Sequence, residues 1–283
     1  MRIHHLNCGT LRPPSRRLVN GTGGLGEPAT QVCHCLLVET GQDLVLVDSG
    51  IGLADIRDPS VSPGDRFVRR ARPVLDPDET AVRRIAALGF DPHDVRHILV
   101  THLDPDHAGG VADFPWATVH LLAREHQAGL RPTSRAERRR YRTGRLRTHQ
   151  HWQVYPDPTG TGWFDLPAVR DLVGLPPEIV LVPLPGHTHG HCGVAVQHGT
   201  GWVLHAGDAY FDRRELAPGY SRPPLGILLT GALTQADRRL RLDSRRQLRD
   251  LHATRSAEVD MFCAHDPVDW QRFVGTTSPA PDR

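Results

Sequence analysis

Four potential metal ligands lie within six residues of one another, in the segment His102-Leu103-Asp104-Pro105-Asp106-His107. Imidazole and carboxylate groups together suit Zn²⁺, Fe or Mn. The segment leaves an apolar run at Val95–Thr101 that predicts a strand, and Gly109 and Gly110 let the backbone turn sharply past a site. A helix could not direct all four side chains at one ion, because they span more than a turn. We therefore predict a metal-binding loop, rather than a polar loop in which Asp104 or Asp106 only caps a helix.

Three further pieces each place a ligand type just after a predicted strand. His187 follows the apolar run 179–184, Asp208 follows 202–206, and His265 follows 258–263. In open α/β sheets, sites assemble outside the carboxyl ends of strands. We therefore expect these three side chains to join the 102–107 segment at one edge.

The remaining pattern predicts the elements that must position these residues. Further strands are predicted at 33–39, 43–48, 117–122 and 193–197, and helices at 78–88 and 235–251, whereas 11–30 and 55–77 are predicted to be loops. This mixture predicts an α/β protein with mixed sheets. No linker divides the chain, so we predict one domain over 1–283, with the Arg- and aromatic-rich segment 131–165 as a lid or insertion.

In this order, the motifs resemble those of the metallo-β-lactamase-fold hydrolase superfamily, over roughly residues 30–270, in its lactonase and glyoxalase II-like branch. The opening piece is Leu46-Val47-Asp48-Ser49-Gly50, which is similar to the family's strand-ending Asp-Thr-Gly. The 102–107 segment resembles His-x-His-x-Asp-His, and Pro185–Thr188, Gly207-Asp208 and His265 complete the set. The fold that this resemblance implies is an αββα four-layer sandwich of two mixed β-sheets.

The resemblance also implies roles by position. His102 and His187 would bind a first metal, and Asp106, His107 and His265 a second. Asp208 would bridge the two, and Asp48 would orient the loop. The expected cofactors are therefore two divalent ions, with Zn²⁺ first and Fe or Mn as alternatives.

Asp104 departs from the family pattern, because it stands where a second His is usual. It remains a possible ligand, and it adds a third carboxylate, which moves preference toward harder ions. Metal identity and occupancy of the first position, with one ion or none as alternatives to two, stay open here.

The function implied is hydrolysis of a lactone or carboxylic ester by a metal-bridging hydroxide. Metal lowers the pKa of bound water to about 7, which makes hydroxide available. We predict that Asp106 also carries the proton to the leaving group and that Tyr210 assists at the carbonyl. The alternatives are a glyoxalase II-like thioesterase, a mononuclear iron dioxygenase of the persulfide type, and a phosphodiesterase or nuclease.

Other conspicuous residues receive weaker predictions. We expect His191 to support the site, His189 to be exposed, His205 to be structural, and Cys33 and Cys35 to pack in the core. An Arg-rich cluster is interpreted as a solvated helix or a substrate lid; it comprises Arg131, Arg135, Arg138, Arg139, Arg140, Arg142, Arg145 and Arg147.

Composition limits the possible partners. All 34 basic residues are Arg and the net charge is +2, which is weak evidence for an anionic partner, so nucleic acid is not favoured. The resemblance implies a small-molecule substrate. No apolar run is long enough for a membrane span, which for a helix takes about 20 residues. Five cysteines, an odd number, do not form a disulfide framework, and we predict a reducing cytoplasm. The oligomeric state is left open.

Overall fold

The fold is taken from a computed structural model that describes residues 1–141, 144, 146–160, 162–217 and 222–274. Its strands are β1 Arg2–Leu11, β2 Gln31–Glu39, β3 Leu44–Val47, β4 Val95–Leu99, β5 Thr118–Leu122, β6 Trp152–Tyr155, β7 Ile179–Pro183, β8 Cys192–His198, β9 Gly201–His205 and β10 Val259–Phe262. Its α-helices are α1 Arg16–Val19, α2 Leu53–Arg57, α3 Asp65–Ala71, α4 Ala81–Ala87, α5 Pro105–Ala108, α6 Ala123–Leu130, α7 Arg135–Arg140, α8 Leu225–Thr234, α9 Arg238–Arg255 and α10 Pro267–Val274.

The strands form two mixed sheets. The first sheet has the order β1-β2-β3-β4-β5-β6, with antiparallel pairs from β1 to β3 and parallel pairs from β3 to β6. The second has the order β10-β9-β8-β7, in which only β10 and β9 are parallel. The α/β class predicted from the sequence is thereby confirmed.

Alternation along the strands produces the layers. Successive side chains of a strand point to opposite faces of its sheet. In β2, Leu36 joins a buried cluster that also contains Leu181 and Val194 of the second sheet, so this cluster lies between the sheets. Leu37 instead packs with Ile85 of α4 on the outer face of the first sheet. On the outer face of the second sheet, β-strand residues pack with Leu248 of α9. Helix, sheet, sheet and helix thus form the expected αββα sandwich.

The strands predicted from apolar runs are present, but several other elements were not predicted. β1 was not predicted because His4, His5 and Asn7 interrupt its apolar pattern; it nevertheless pairs with β2 along nearly its whole length. β6 and α7 lie in the segment that we expected to be a lid or insertion, and the edge strand β6 pairs with β5. The predicted loops 11–30 and 55–77 contain α1, part of α2 and α3.

The five cysteines are all buried free thiols. Cys8, Cys33 and Cys35 lie in β1 and β2 of the first sheet, whereas Cys192 begins β8 and Cys263 follows β10 in the second. Within the described part of the chain, no helix combines the length and apolar character needed to cross a bilayer.

Candidate metal centre

The predicted ligands lie at one edge because their strands run in one direction. β3 and β4 are parallel, as are β9 and β10, and β7 runs with β9 because both are antiparallel to β8. Asp48, the 102–107 segment, His187, Asp208 and His265 follow the carboxyl ends of these five strands. The structure brings seven of the predicted residues together there, namely His102, Asp104, Asp106, His107, His187, Asp208 and His265.

Asp48 fixes the loop that carries His107. Its carboxylate accepts hydrogen bonds from the Thr101 backbone N–H at 2.7 Å, from the Thr101 hydroxyl at 2.9 Å, and from His107 Nδ1 at 2.8 Å. Burial opposes its ionisation, yet His107 lowers the pKa of Asp48 to about 2. The carboxylate therefore stays ionised and keeps the proton of His107 on Nδ1.

His107, Asp208 and His265 form what we call the second ligand group. His265 Nδ1 lies 2.8 Å from the Val32 carbonyl, which can only accept, so His265 also carries its proton on Nδ1. The unprotonated Nε2 atoms of both histidines lie 3.3 Å apart, and they lie 3.3 and 3.1 Å from Asp208 Oδ1. When both imidazoles are neutral, three acceptors thus converge with no donor between them. Their spacing matches the edge of a tetrahedral site with ligand bonds of about 2.0–2.1 Å.

The electrostatics of this group favour a cation. Burial is the largest single effect and lowers the pKa of His107 and of His265, but Asp208, together with Asp48 at His107 and with Asp106 at His265, raises both above the ordinary value. Burial likewise opposes ionisation of Asp208, but the surrounding imidazoles hold the pKa of its carboxyl well below the ordinary value. Positive charge, whether a proton or a metal ion, is therefore stabilised between these side chains, and the residues present fit a divalent ion.

His102, Asp104 and His187 form the first ligand group. Asp104 Oδ2 lies 3.4 Å from His102 Nε2 and 3.2 Å from His187 Nε2. Asp104 begins α5 as its N-cap residue but makes no capping hydrogen bond with its side chain. Instead, the guanidinium of Arg140 donates from Nε and Nη2 to its two oxygens, at 2.8 and 2.5 Å. Asp208 Oδ2 lies 3.2 Å from His187 Nε2, so Asp208 contacts both groups.

Asp106 lies at the more open side of the second ligand group. Its Oδ2 is 3.6 Å from His265 Nε2, and its side chain is 12% exposed, compared with 6% for Asp208. Cys33 Sγ lies within 4.8 Å of both the Asp106 and the His265 ligand atoms. The sequence placed Cys33 in the core, and it is buried, but this position beside a possible ligand was missed because strand alternation shows only which face a residue occupies.

A second set of side chains holds Asp208. His191 Nε2 accepts from the Asp208 backbone N–H at 2.9 Å, and His191 Nδ1 donates to the Leu184 carbonyl at 2.9 Å. Gly207 has a φ of 53°, and a Cβ there would lie 2.6 Å from His191 Nε2. A glycine is therefore required for the approach. His205 accepts from the Gly207 N–H at 3.1 Å, so the expected structural role of His205 fits its position.

Sequence reasoning missed Glu125, a buried carboxylate in α6. It accepts hydrogen bonds from the Leu103 N–H at 2.9 Å, from the Thr188 hydroxyl at 2.5 Å and from the Tyr141 hydroxyl at 3.0 Å. Three chain segments around the first ligand group are thereby joined. Its position after the end of β5, which is parallel to β4, was the available signal.

The structure does not bring Tyr210 to the ligand groups. Tyr210 is buried in the outer cluster of the second sheet with Cys263, and its hydroxyl has no hydrogen-bond partner among the described residues. The next residue faces the site instead, because Phe211 has its ring 5.8 Å from that of His187 and 6.1 Å from that of His265. Arg142 and Arg145 of the predicted Arg cluster lie outside the described residues.

Comparison with known proteins identifies the family. The model of the metallo-beta-lactamase superfamily matches residues 29–255. The chain belongs to this superfamily. It is therefore a metallo-hydrolase with the metallo-β-lactamase fold, as the order of its motifs predicted.

Individual relatives agree with the family assignment. The chain is 40% identical over 271 residues to a "probable metallo-hydrolase" of Mycobacterium tuberculosis (strain ATCC 25618 / H37Rv), a match that covers 96% of this chain and 82% of the relative. It is 32% identical over 133 residues to the N-acyl homoserine lactonase AttM of Rhizobium radiobacter, covering 47% of this chain and 49% of the relative. A solved N-acyl homoserine lactone hydrolase, with N-hexanoyl-L-homoserine bound at its catalytic metal centre, is 19% identical with a TM-score of 0.71 and 95% coverage of each chain.

Proposed function

We propose that this metallo-hydrolase cleaves a lactone or a related carboxylic ester. The observation that carries the metal-dependent part is the convergence of His107 Nε2, His265 Nε2 and Asp208 Oδ1 without a donor. The substrate class is supported by the matching lactonase of Rhizobium radiobacter and by the fold shared with the solved lactone hydrolase.

His107, His265, Asp208 and Asp106 would hold the ion. A divalent ion in such a site makes hydroxide available at neutral pH and polarises a carbonyl oxygen. Asp48 and the Val32 carbonyl keep the two imidazole lone pairs directed inward, which fixes the ligand geometry before binding. The two-metal form expected from the sequence also requires the first ligand group to be free to bind.

Asp106 would carry the proton that hydrolysis moves. Water supplies hydroxide to the carbonyl carbon, the bond from that carbon to the ester oxygen breaks, and the departing alkoxide needs the remaining proton. Asp106 is the more exposed of the carboxylates beside the second ligand group, and it adjoins His265. Phe211 provides an apolar surface beside the same histidine. Tyr210 has no corresponding position, so we assign it no contact with substrate.

A substrate panel tests this proposal. Protein loaded with Zn²⁺ or Mn²⁺ is assayed on N-acyl homoserine lactones, aryl esters, glutathione thioesters and an aryl phosphodiester. We expect turnover of lactones or esters. Asp106→Asn should lose this turnover but still bind metal with reduced affinity, because His107, His265 and Asp208 remain to hold the ion. Turnover of the thioester or phosphodiester alone would contradict the substrate class and leave the metal centre standing.

The mononuclear iron dioxygenase is the second candidate. The second ligand group offers two imidazoles and a carboxylate, the ligand set of many non-haem Fe(II) oxygenases. Iron-loaded protein that consumes O₂ with a persulfide substrate, and hydrolyses no lactone or ester, would favour it.

A further inference from the structure

Arg140 is the cation that the first ligand group already contains. Its Nη2 lies 2.5 Å from Asp104 Oδ2 and 2.5 Å from His187 Nε2, two of the three ligand atoms of the group. The second ligand group has no such protein cation among the described residues. Acceptors converge in both groups, but in the described part of the chain only the first contacts a guanidinium, whose charge is not lost by deprotonation.

Arg140 and a metal ion would compete for the same lone pair. A guanidinium only donates, so His187 Nε2 must be the acceptor of this contact. A neutral imidazole has one acceptor nitrogen, and a metal binds through that same lone pair. An ion at about 2.0–2.1 Å along it would overlap with Nη2. Asp104 is engaged similarly, since both of its oxygens accept from Arg140.

The guanidinium is fully used by these contacts. Nε donates to one Asp104 oxygen, and Nη2 donates to the other and to His187 Nε2. Nη1 donates to the His187 carbonyl at 3.0 Å and to the Thr234 carbonyl. Five N–H groups thus meet five acceptors, which is the whole donor capacity of an Arg. No donor is left for a substrate, so Arg140 is a positioning residue.

Neighbouring residues hold Arg140 in place. It ends α7, whose first turn is closed by reciprocal hydrogen bonds between Ser134 and Glu137. Tyr141, the next residue, is buried and donates to Glu125, which also holds the Leu103 N–H beside Asp104. The Arg140 side chain is only 19% exposed. This is a built ion pair and not a surface Arg that happens to lie nearby.

We propose that the guanidinium of Arg140 takes the place of a metal ion in the first ligand group, so that the chain carries one divalent ion, in the second. This inference rests on the proposed metal-dependent function and refines it. The presence of Asp104 at a position where the family usually has His then has a physical reason. A carboxylate pairs with a guanidinium through two parallel hydrogen bonds, and an imidazole cannot.

Metal stoichiometry tests the proposal without any activity assay. Metal-free wild type is titrated with Zn²⁺ by calorimetry, and bound metal is then counted by mass spectrometry after removal of excess. The same is done for the double variant Asp104→His/Arg140→Ala, which restores three imidazoles and removes the cation. Arg139→Ala, an exposed Arg of the same helix, is the control.

We expect one ion per chain in the wild type and in Arg139→Ala, and two in the double variant. With Mn²⁺, the wild type should give the electron paramagnetic resonance spectrum of an isolated ion, and the double variant should give that of a coupled pair. Two ions in the wild type would overturn the assignment of Arg140 and leave the hydrolase proposal intact. No ion in the wild type would overturn both. A double variant that is folded by circular dichroism but binds one ion would also contradict the inference.

Discussion

At the scale of single residues, hydrogen positions decide what the centre can bind. Asp48 and the Val32 carbonyl place the protons of His107 and His265 on Nδ1 and direct both Nε2 atoms at Asp208. Arg140 has the opposite effect on His187, because it donates to the Nε2 atom and so occupies the lone pair that would otherwise bind an ion. Two similar groups of His and Asp are thereby distinguished by their neighbours.

Asp48→Asn tests this control of His107. An amide can donate as well as accept, so it no longer enforces the proton position on His107 Nδ1. We expect metal affinity to fall by about 10–100-fold, as is usual for residues that orient a ligand. Zn²⁺ calorimetry measures the change, and Asp171→Asn, an exposed Asp, serves as the control. Unchanged affinity would show that Asp48 only supports the loop.

Asp208→Ala tests the residue that contacts both groups. Its removal leaves the imidazoles of the second ligand group without their carboxylate, so we expect loss of bound metal and at least about 100-fold lower activity, beyond what orienting residues contribute. His189→Ala is the matched control, because His189 is exposed and lies two residues from His187. Full activity of the Asp208 variant would end the metal-hydrolase proposal.

The sequence could indicate the metal ligands, but not the Arg that pairs with one group of them. His102, His107, His187 and Asp208 were found because they follow apolar strands and are of ligand type. Arg140 could not be separated from the other arginines of its segment, since its contacts with Asp104 and Thr234 join residues 36 and 94 positions apart. Such pairing depends on tertiary structure that local patterns do not contain.

At the scale of elements, Glu125 links α6, the 102–107 segment and the chain after α7. Glu125→Leu should destabilise the fold by at least about 1–3 kcal/mol, because an apolar side chain leaves the buried N–H of Leu103 and the hydroxyls of Thr188 and Tyr141 without their acceptor. Urea unfolding measures the change. Glu258→Leu is the control, since it removes an exposed pair with Arg255 whose contribution is at most about 1 kcal/mol. Equal effects of the two variants would contradict this role for Glu125.

Element prediction succeeded where burial is strong on both faces of a sheet. β3 and β7 are nearly continuous apolar runs, and both were predicted. β1 and β6 are edge strands with polar residues, so their strand character depends on pairing with β2 and β5. Packing between elements, and not local composition, therefore decided the predictions that failed.

At the scale of the whole molecule, buried neutral histidines make stability dependent on pH. Burial lowers the pKa of His5 and of His120 to about 3, and neither contacts the ligand groups. In the unfolded chain both would titrate near about 6.5. The unfolded state therefore binds more protons below that pH, so the stability they contribute above it is lost as pH falls toward about 3.

We expect the free energy of unfolding, from urea titrations of metal-free protein, to decrease from pH 7.5 to pH 5. Each such histidine contributes a slope of at most about 1.4 kcal/mol per pH unit. His120→Gln should reduce this slope, whereas His93→Gln, at an exposed position, should not. A slope that is the same in all three proteins would exclude His120 as a source.

Because all five thiols are buried, their labelling can report opening of the folded structure. A thiol-specific reagent can reach a buried cysteine only when the surrounding structure separates, so labelling kinetics follow local or global opening. Three of these thiols sample the first sheet and two the second. If the sheets open together, all five sites react at one rate under conditions where labelling is faster than reclosing, and if one sheet opens first, its cysteines are labelled first. The cohesion of the sandwich can thus be read by mass spectrometry from the unmodified protein.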